Sequence, residues 1–201
     1  MPIANITWLT KNVATGGDFS FSAKRAKAQL RDLIDMNLSL VIDCRQEADD
    51  YEIWGDIPEV EYVYLPTNDS YGHTIPREHF DAAVILARLA ISDGGRVFAH
   101  CHMGINRGPS TAMAILMDQG MSAEKAFDLI RAKRPISAIA YAEDAIEAHF
   151  ARKGWSEDRI FNRVVKFVTH RELVFPESER VKTRHIMRQL HEVDANERYE
   201  A

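Results

Sequence analysis

The stretch Phe98–Ser110, FAHCHMGINRGPS, limits what this chain can fold into more than any other. The apolar run Arg96–His100 leads into a loop that holds Cys101, one of only two cysteines, with Arg107 close behind. Gly108 and Pro109 then open a segment rich in Met113, Ile115, Leu116 and Met117. A buried strand turning directly into a helix is the building unit of α/β layers, and ligands of open sheets bind at that turn. Gly104 lets the backbone curl there without a Cβ clash. Successive N–H groups and the helix N-terminus attract an anion. Arg107 adds a planar guanidinium that can grip two oxygens. A cysteine at the bottom of such a cup is expected to ionise, because helix ends and arginines lower thiols to about 3.5–7.5 from about 8.5.

The flanking pattern extends this unit. ANITWL and NVATGG read as short strands closed by Gly16-Gly17, and a helix is expected over 22–36 with Ala26, Leu30, Leu33 and Ile34 on one face. LSLVID (Leu38–Asp43) and EVEYVYLP read as strands, the second ended by Pro66. A helix from Pro76 carries Phe80, Ala83, Val84, Ala87 and Ile91 and stops at Asp93-Gly94-Gly95. Pro109 suits the first position of the helix after the cysteine loop, which Gly120 closes. Two more helices follow, one capped by Ser122 and ended by Pro135, the other spanning Tyr141–Arg152 and closed by Gly154. The alternation predicts a single α/β domain over 1–154.

Beyond Gly154 the texture changes. Ile160, Phe161, Val164, Val165 and Val168 form an amphipathic stripe, followed by a charge-laced segment with only Val181, Ile186, Met187 and Leu190 apolar. Residues 1–150 carry 14 Lys and Arg against 21 Asp and Glu (−7); residues 151–201 carry 11 against 9 (+2). Residues 155–201 therefore read as a C-terminal helical extension, folded back on the body or used for self-association. The net charge of −5 argues against nucleic-acid or polybasic membrane partners. No run approaches the roughly 18 apolar residues of a spanning helix. The N-terminus lacks a signal-peptide pattern, and two cysteines make no disulfide framework, so a reducing, cytoplasmic setting is expected.

Blander readings of the loop exist. A lone buried cysteine usually serves as a small hydrophobe. Zinc on His100-Cys101-His102 is disfavoured because adjacent side chains diverge. The joint order of strand, His-Cys, glycine, arginine and helix outweighs them. HCHMGINR matches H-C-x-x-G-x-x-R at every fixed position, and the chain from about Asn5 to Phe150 resembles the cysteine-based protein phosphatases of the dual-specificity type. IRAKRP resembles the end of that family's penultimate helix. The resemblance implies a three-layer α/β fold, a mixed or parallel sheet flanked by helices, with no metal and no organic cofactor. It implies Cys101 as nucleophile, Arg107 with the His102, Met103, Gly104, Ile105 and Asn106 amides as phosphate binders, and His100 as a hydrogen-bonded brace. Asp69, 32 residues before the cysteine, takes the place of the family's general acid, with Asp43, Asp49, Asp50 and Asp56 as competitors. A phosphorylated protein is the expected partner, phosphotyrosine first and phosphoserine or phosphothreonine second.

Two further expectations concern single residues. The family places Ser or Thr after the arginine, where its hydroxyl helps the thiolate leave; Gly108 stands there, so slow breakdown of the phosphocysteine is expected. Cys44, at the end of a neighbouring strand, is a candidate partner for a reversible disulfide with Cys101, beside a plain packing role. Other readings kept open are an RNA 5′-triphosphatase, a phosphoinositide phosphatase, rhodanese-like sulfur transfer and a phosphate-binding pseudoenzyme. The acidic domain and the absence of lysine in HMGIN count against the first two.

Overall fold

A computed structural model describes residues 5–19, 23–54, 57–70, 72–180 and 183. Its five strands are β1 (Ile6–Trp8), β2 (Val13–Gly16), β3 (Leu40–Arg45), β4 (Glu61–Thr67) and β5 (Val97–His100). They lie in the order β1-β2-β5-β3-β4. Only β1 runs antiparallel, to β2; the β2–β5, β5–β3 and β3–β4 pairs are parallel. The mixed sheet is covered on both faces. On one side pack α3 (Arg77–Ser92), α4 (Arg107–Asp118), α5 (Ala123–Lys133), α6 (Ala142–Arg152) and α7 (Glu157–Val174), around a core that includes Phe80, Met113, Phe127 and Ile146. On the other lie α1 (Ala23–Asp35) and α2 (Tyr51–Trp54), around Leu33, Trp54 and Phe98.

Alternation along the central strands divides the chemistry between these faces. Val97, Ala99 and Cys101 point to the α4 side together with Leu40, Ile42 and Cys44. Phe98 and Val41 point to the opposite side. His100, Asp43 and Arg45 continue that second series.

Several boundaries move from the sequence reading for identifiable reasons. β3 starts two residues later and runs through Asp43 and Arg45, which are 0% and 2% exposed. Their mutual ion pair buries two charged residues where an apolar pattern would end. Pro66 lies inside β4; this strand is at the sheet edge, where a missing N–H leaves no ladder partner unsatisfied. α4 begins at Arg107, so Pro109 is its third residue, still within the turn whose N–H groups have no helical acceptor. Ile34 is 38% exposed and does not join the buried face of α1. The four-residue α2 was not anticipated. Ser22, Asp56, Val181, Ile186, Met187 and Leu190, all invoked above, lie outside the described residues.

The first part of the extension folds back on the body. Phe167 of α7 is fully buried, with its ring centroid 5.4 Å from that of Phe127 in α5. Arg163 makes paired hydrogen bonds of 2.8 and 2.6 Å to Glu124, and Trp155 stacks on Phe150 at 4.1 Å. No described helix is long and apolar enough to cross a membrane. Phe167→Ala should cost about 3–5 kcal/mol through lost burial and cavity formation. That corresponds to a fall in Tm of roughly 10 °C by calorimetry for a chain of this size. Phe161→Ala, at a side chain 67% exposed, should leave Tm within about 2 °C.

Candidate active site

The loop between β5 and α4 has a shape set by its carbonyls. Four in succession are held from outside. His102 O accepts the Asp18 N–H at 2.9 Å, and Met103 O accepts Arg134 Nη2 at 3.0 Å. Gly104 O accepts Arg134 Nε at 2.7 Å and Ser137 Oγ at 3.3 Å. Ile105 O accepts the N–H groups of Ala138 and Ile139 at 2.9 and 3.1 Å. In a trans peptide the C=O and N–H point in opposite directions, and the described chain has no cis bond. Tying four carbonyls behind the loop therefore turns the N–H groups of Met103, Gly104, Ile105 and Asn106 to its inner side. The first N–H groups of α4 add the positive end of the helix dipole. The result is a donor-lined cup whose shape suits a tetrahedral oxyanion, about 340 Å³ in volume, lined by Glu47, Asn68, Asp69, Cys101 to Met103 and Ile105 to Arg107.

Gly104 makes this curvature possible. Its φ is +65°, and a Cβ there would overlap the carbonyl of Gly16 and Arg134 Nη2. Cys101 lies at the floor of the cup, 1% exposed, with its N–H directed to Gly16 O at 3.4 Å.

Arg107 is 3% exposed and firmly held. Nη1 and Nη2 donate to the two Glu47 oxygens at 2.7 and 2.6 Å, and Nη1 also reaches Thr67 O at 3.0 Å. The paired hydrogen bonds from Arg107 hold the Glu47 carboxyl down at about 2. Arg107 Nε has no hydrogen-bond partner among the described residues and lies 3.5 Å from Asp69 Oδ2. It is a donor left unengaged at the cup.

Asp69 stands at the rim of the cup. Its Oδ1 accepts from Tyr141 Oη at 2.9 Å and from Asn106 Nδ2 at 3.1 Å. Tyr141 Oη also reaches Asn68 O at 3.4 Å. Burial, and then the neighbouring Asp69 charge, push the Tyr141 hydroxyl up, so it stays a donor to the carboxylate. Asn106 thereby joins acid and loop: its backbone lies in the cup and its side chain holds Asp69.

The competing aspartates are occupied elsewhere. Asp43 and Asp50 pair with Arg45 on the far face of the sheet, and Asp49 Oδ1 accepts the Tyr51 N–H. Neither His100 ring nitrogen has a hydrogen-bond partner among the described residues, and its ring stacks on Phe98 at 5.1 Å. The expected hydrogen-bonded brace is not seen among the described residues, and strand alternation turns His100 away from Cys101. The same divergence prevents His100 and Cys101 from sharing a metal. His102 lies with its Nδ1 3.6 Å from Asp18 Oδ2.

Cys44 is fully buried on the Cys101 face, with its Sγ 3.4 Å from Thr111 Oγ1, and both cysteines are free. Burial pushes the Cys44 thiol up. A Cβ at Gly108 would lie 2.9 Å from the Cα and carbonyl carbon of His100, so glycine is required by the close approach of α4 to β5. The next hydroxyls are engaged elsewhere: Ser110 Oγ accepts the Tyr141 N–H at 3.3 Å, and Thr111 Oγ1 meets His79 Nε2 at 2.9 Å.

Glu47, Arg134 and Tyr141 were not read as site residues from sequence. IRAKRP did hold a signal for Arg134 at the end of a helix. Glu47 looked like one more charge in the run QEADD.

Comparison with known proteins agrees with this geometry. The family profile for the dual specificity phosphatase catalytic domain matches residues 21–143. Human dual specificity protein phosphatase 5 is 34% identical over 76 residues, 37% of this chain and 20% of that protein. The chain thus matches about a fifth of that relative's length. Among solved structures, PTPMT1 in complex with PI(5)P superposes with a TM-score of 0.63 at 21% identity, covering 75% of this chain and 97% of that one. Human DUSP28(Y102H) gives 0.60 at 19%, covering 75% and 98%. At these identities the structural likeness concerns the fold.

Arg134→Met should release the Met103 and Gly104 carbonyls and let their peptides rotate. Affinity for inorganic phosphate, followed by calorimetry, should fall at least about tenfold, as expected for losing two or more buried charge-assisted hydrogen bonds. Unchanged phosphate affinity in a folded variant would refute the tie.

Proposed function

The chain belongs to the dual specificity phosphatase catalytic-domain family, and on that premise we propose that it hydrolyses phosphomonoesters through a phosphocysteine on Cys101. The observation that carries the reading is the set of four rear-tied carbonyls, which turns a row of amides to the inner side of the loop that holds the thiol, with Arg107 Nε left unengaged at the same cup. Charge on the three equatorial oxygens of the transferring group is stabilised there by donors that need no reorganisation.

In the first step the Cys101 thiolate attacks phosphorus, an S–P bond forms, and the P–O bond to the leaving group breaks. Asp69 gives its proton to the departing oxygen. In the second step water attacks phosphorus and Asp69 takes a proton from it. The S–P bond breaks, phosphate leaves and the thiolate returns. Tyr141 and Asn106 keep the Asp69 carboxyl at the rim, and Glu47 keeps the guanidinium of Arg107 in the plane that leaves Nε free.

Phosphotyrosine in proteins, with phosphoserine and phosphothreonine second, is the substrate class we favour. The relatives are named as protein phosphatases, and the Cys101–Arg107 loop has no lysine to favour a polyanionic lipid headgroup. Cys101→Ser should abolish hydrolysis of phosphotyrosine. Asp69→Asn should lower kcat by about 10²–10⁴. Hydrolysis surviving in Cys101→Ser would remove the mechanism.

The second step lacks an adjacent hydroxyl, since Gly108 is required by packing and Ser110 and Thr111 are engaged. Rapid mixing with para-nitrophenyl phosphate should therefore give a burst of nitrophenol close to one per enzyme, followed by slower turnover. A linear trace with no burst would show that phosphocysteine breakdown is not limiting.

A further inference from the structure

On the face of the sheet opposite Cys101, Asp43, Asp50 and His100 meet in the interior at 0%, 7% and 1% exposure. His100 Nε2 lies 3.8 Å from Asp43 Oδ1 and 4.0 Å from Asp50 Oδ2. One ligand-capable atom from each of the three lies within 4.8 Å of the others. The His100 separations are too long for hydrogen bonds. Among the described residues, Asp50 Oδ2 and both His100 ring nitrogens have no hydrogen-bond partner. Buried polar atoms are nearly always paired, and unpaired ones that converge call for a further occupant.

Charge balance points the same way. The carboxylates of Asp18, Asp43 and Asp50 converge on one cation, Arg45. Tyr62 adds only a neutral hydroxyl, donated to Asp43 Oδ2 at 2.8 Å. With Arg45 as the one permanent cation among the described partners and His102 Nδ1 3.6 Å from Asp18 Oδ2, the cluster carries an excess of one to two negative charges, a costly state in the interior. A divalent cation cancels it.

We infer that Asp43, Asp50 and His100 form a structural binding site for one divalent first-row transition-metal ion, Zn²⁺ or Mn²⁺. One imidazole and two carboxylates suit these ions. At metal–ligand distances of about 2.0–2.2 Å, tetrahedral ligands stand roughly 3.4 Å apart, so His100 needs to close on each carboxylate by about half an ångström and the two carboxylates on each other by at most about 1.4 Å. Asp43 is already oriented from behind, its Oδ1 accepting from Arg45 Nε at 2.9 Å and from the Arg45 N–H at 3.0 Å. The ion fastens the ends of β3 and β5 to the residue just before α2. It lies across the sheet from the thiol and takes no part in phosphoryl transfer.

The test uses the full chain and the metal alone. Elemental analysis by mass spectrometry should find about one Zn²⁺ or Mn²⁺ per chain. Returning the ion to chelator-stripped protein, at about a hundredfold excess over Kd, should raise Tm by roughly 5 °C or more. Asp50→Asn and His100→Gln should each lower the bound metal to below about a tenth per chain, with folding checked by circular dichroism. Cys101→Ser should keep the ion. Wild-type protein with no bound ion and no metal-dependent Tm would overturn the inference and leave the cluster neutralised by protons. So would an ion retained in both cluster variants, or lost in Cys101→Ser.

Discussion

Everything at the candidate site depends on where the carbonyls of residues 102–105 point. Left to itself, a loop of successive peptides scatters its dipoles, and no anion is held. Here each carbonyl has a donor on the outside, supplied by the Asp18, Ala138 and Ile139 amides and by the side chains of Arg134 and Ser137. Those donors come from the end of β2 and from the connection between α5 and α6, elements far from the loop in sequence. Arg134 is the strongest of them, since one guanidinium serves two carbonyls and also reaches Asn5 Oδ1 and Thr7 Oγ1. Burial lowers its pKa while the nearby Cys101 charge acts in the opposite sense. The orientation of the cup is thus a tertiary property imposed on a local turn.

The sheet divides the remaining work by alternation. Consecutive residues of β5 face opposite layers, so His100 and Cys101 share no environment although they are neighbours in the chain. On the α4 side the cysteines lie among apolar residues beneath the loop of residues 102–106. On the α1 side a dense ionic cluster surrounds Arg45, and its partners arrive from β2, β3, β5 and the turn before α2. The close approach of α4 to β5 links the two halves. It demands glycine at 108, and so no hydroxyl stands directly after Arg107.

The part of the extension that is described belongs physically to the domain. α7 buries Phe167 against Phe127, and Arg171 bonds Glu143 in α6 at 2.5 Å. Its C-terminal end reaches a second cavity of about 640 Å³, where Arg171, Phe175 and Arg180 face Asp69, Asn106 and Tyr141. The composition shift at Gly154 therefore coincides with a change in surface character, while α7 packs against α5 and α6.

The strand–helix alternation, the floor of the core, Cys101, Arg107 and the Asp69 loop were legible in the amino-acid order. Each depends on spacing along the chain: a buried run, a turn with glycine, an arginine at the helix start, an aspartate after the preceding strand. Strand ends at Arg45 and Thr67 were not legible, because ion pairing in one case and edge position in the other override local pattern. Glu47, Arg134 and Tyr141 became site residues only through contacts that span 60, 30 and 72 positions. The sequence by itself determined which groups are available for the proposed chemistry, since a cysteine, an arginine and an aspartate at these positions are a matter of residue type and spacing. The tertiary structure alone decided how those groups are held, because hydrogen bonds between distant segments set the direction of every donor in the cup.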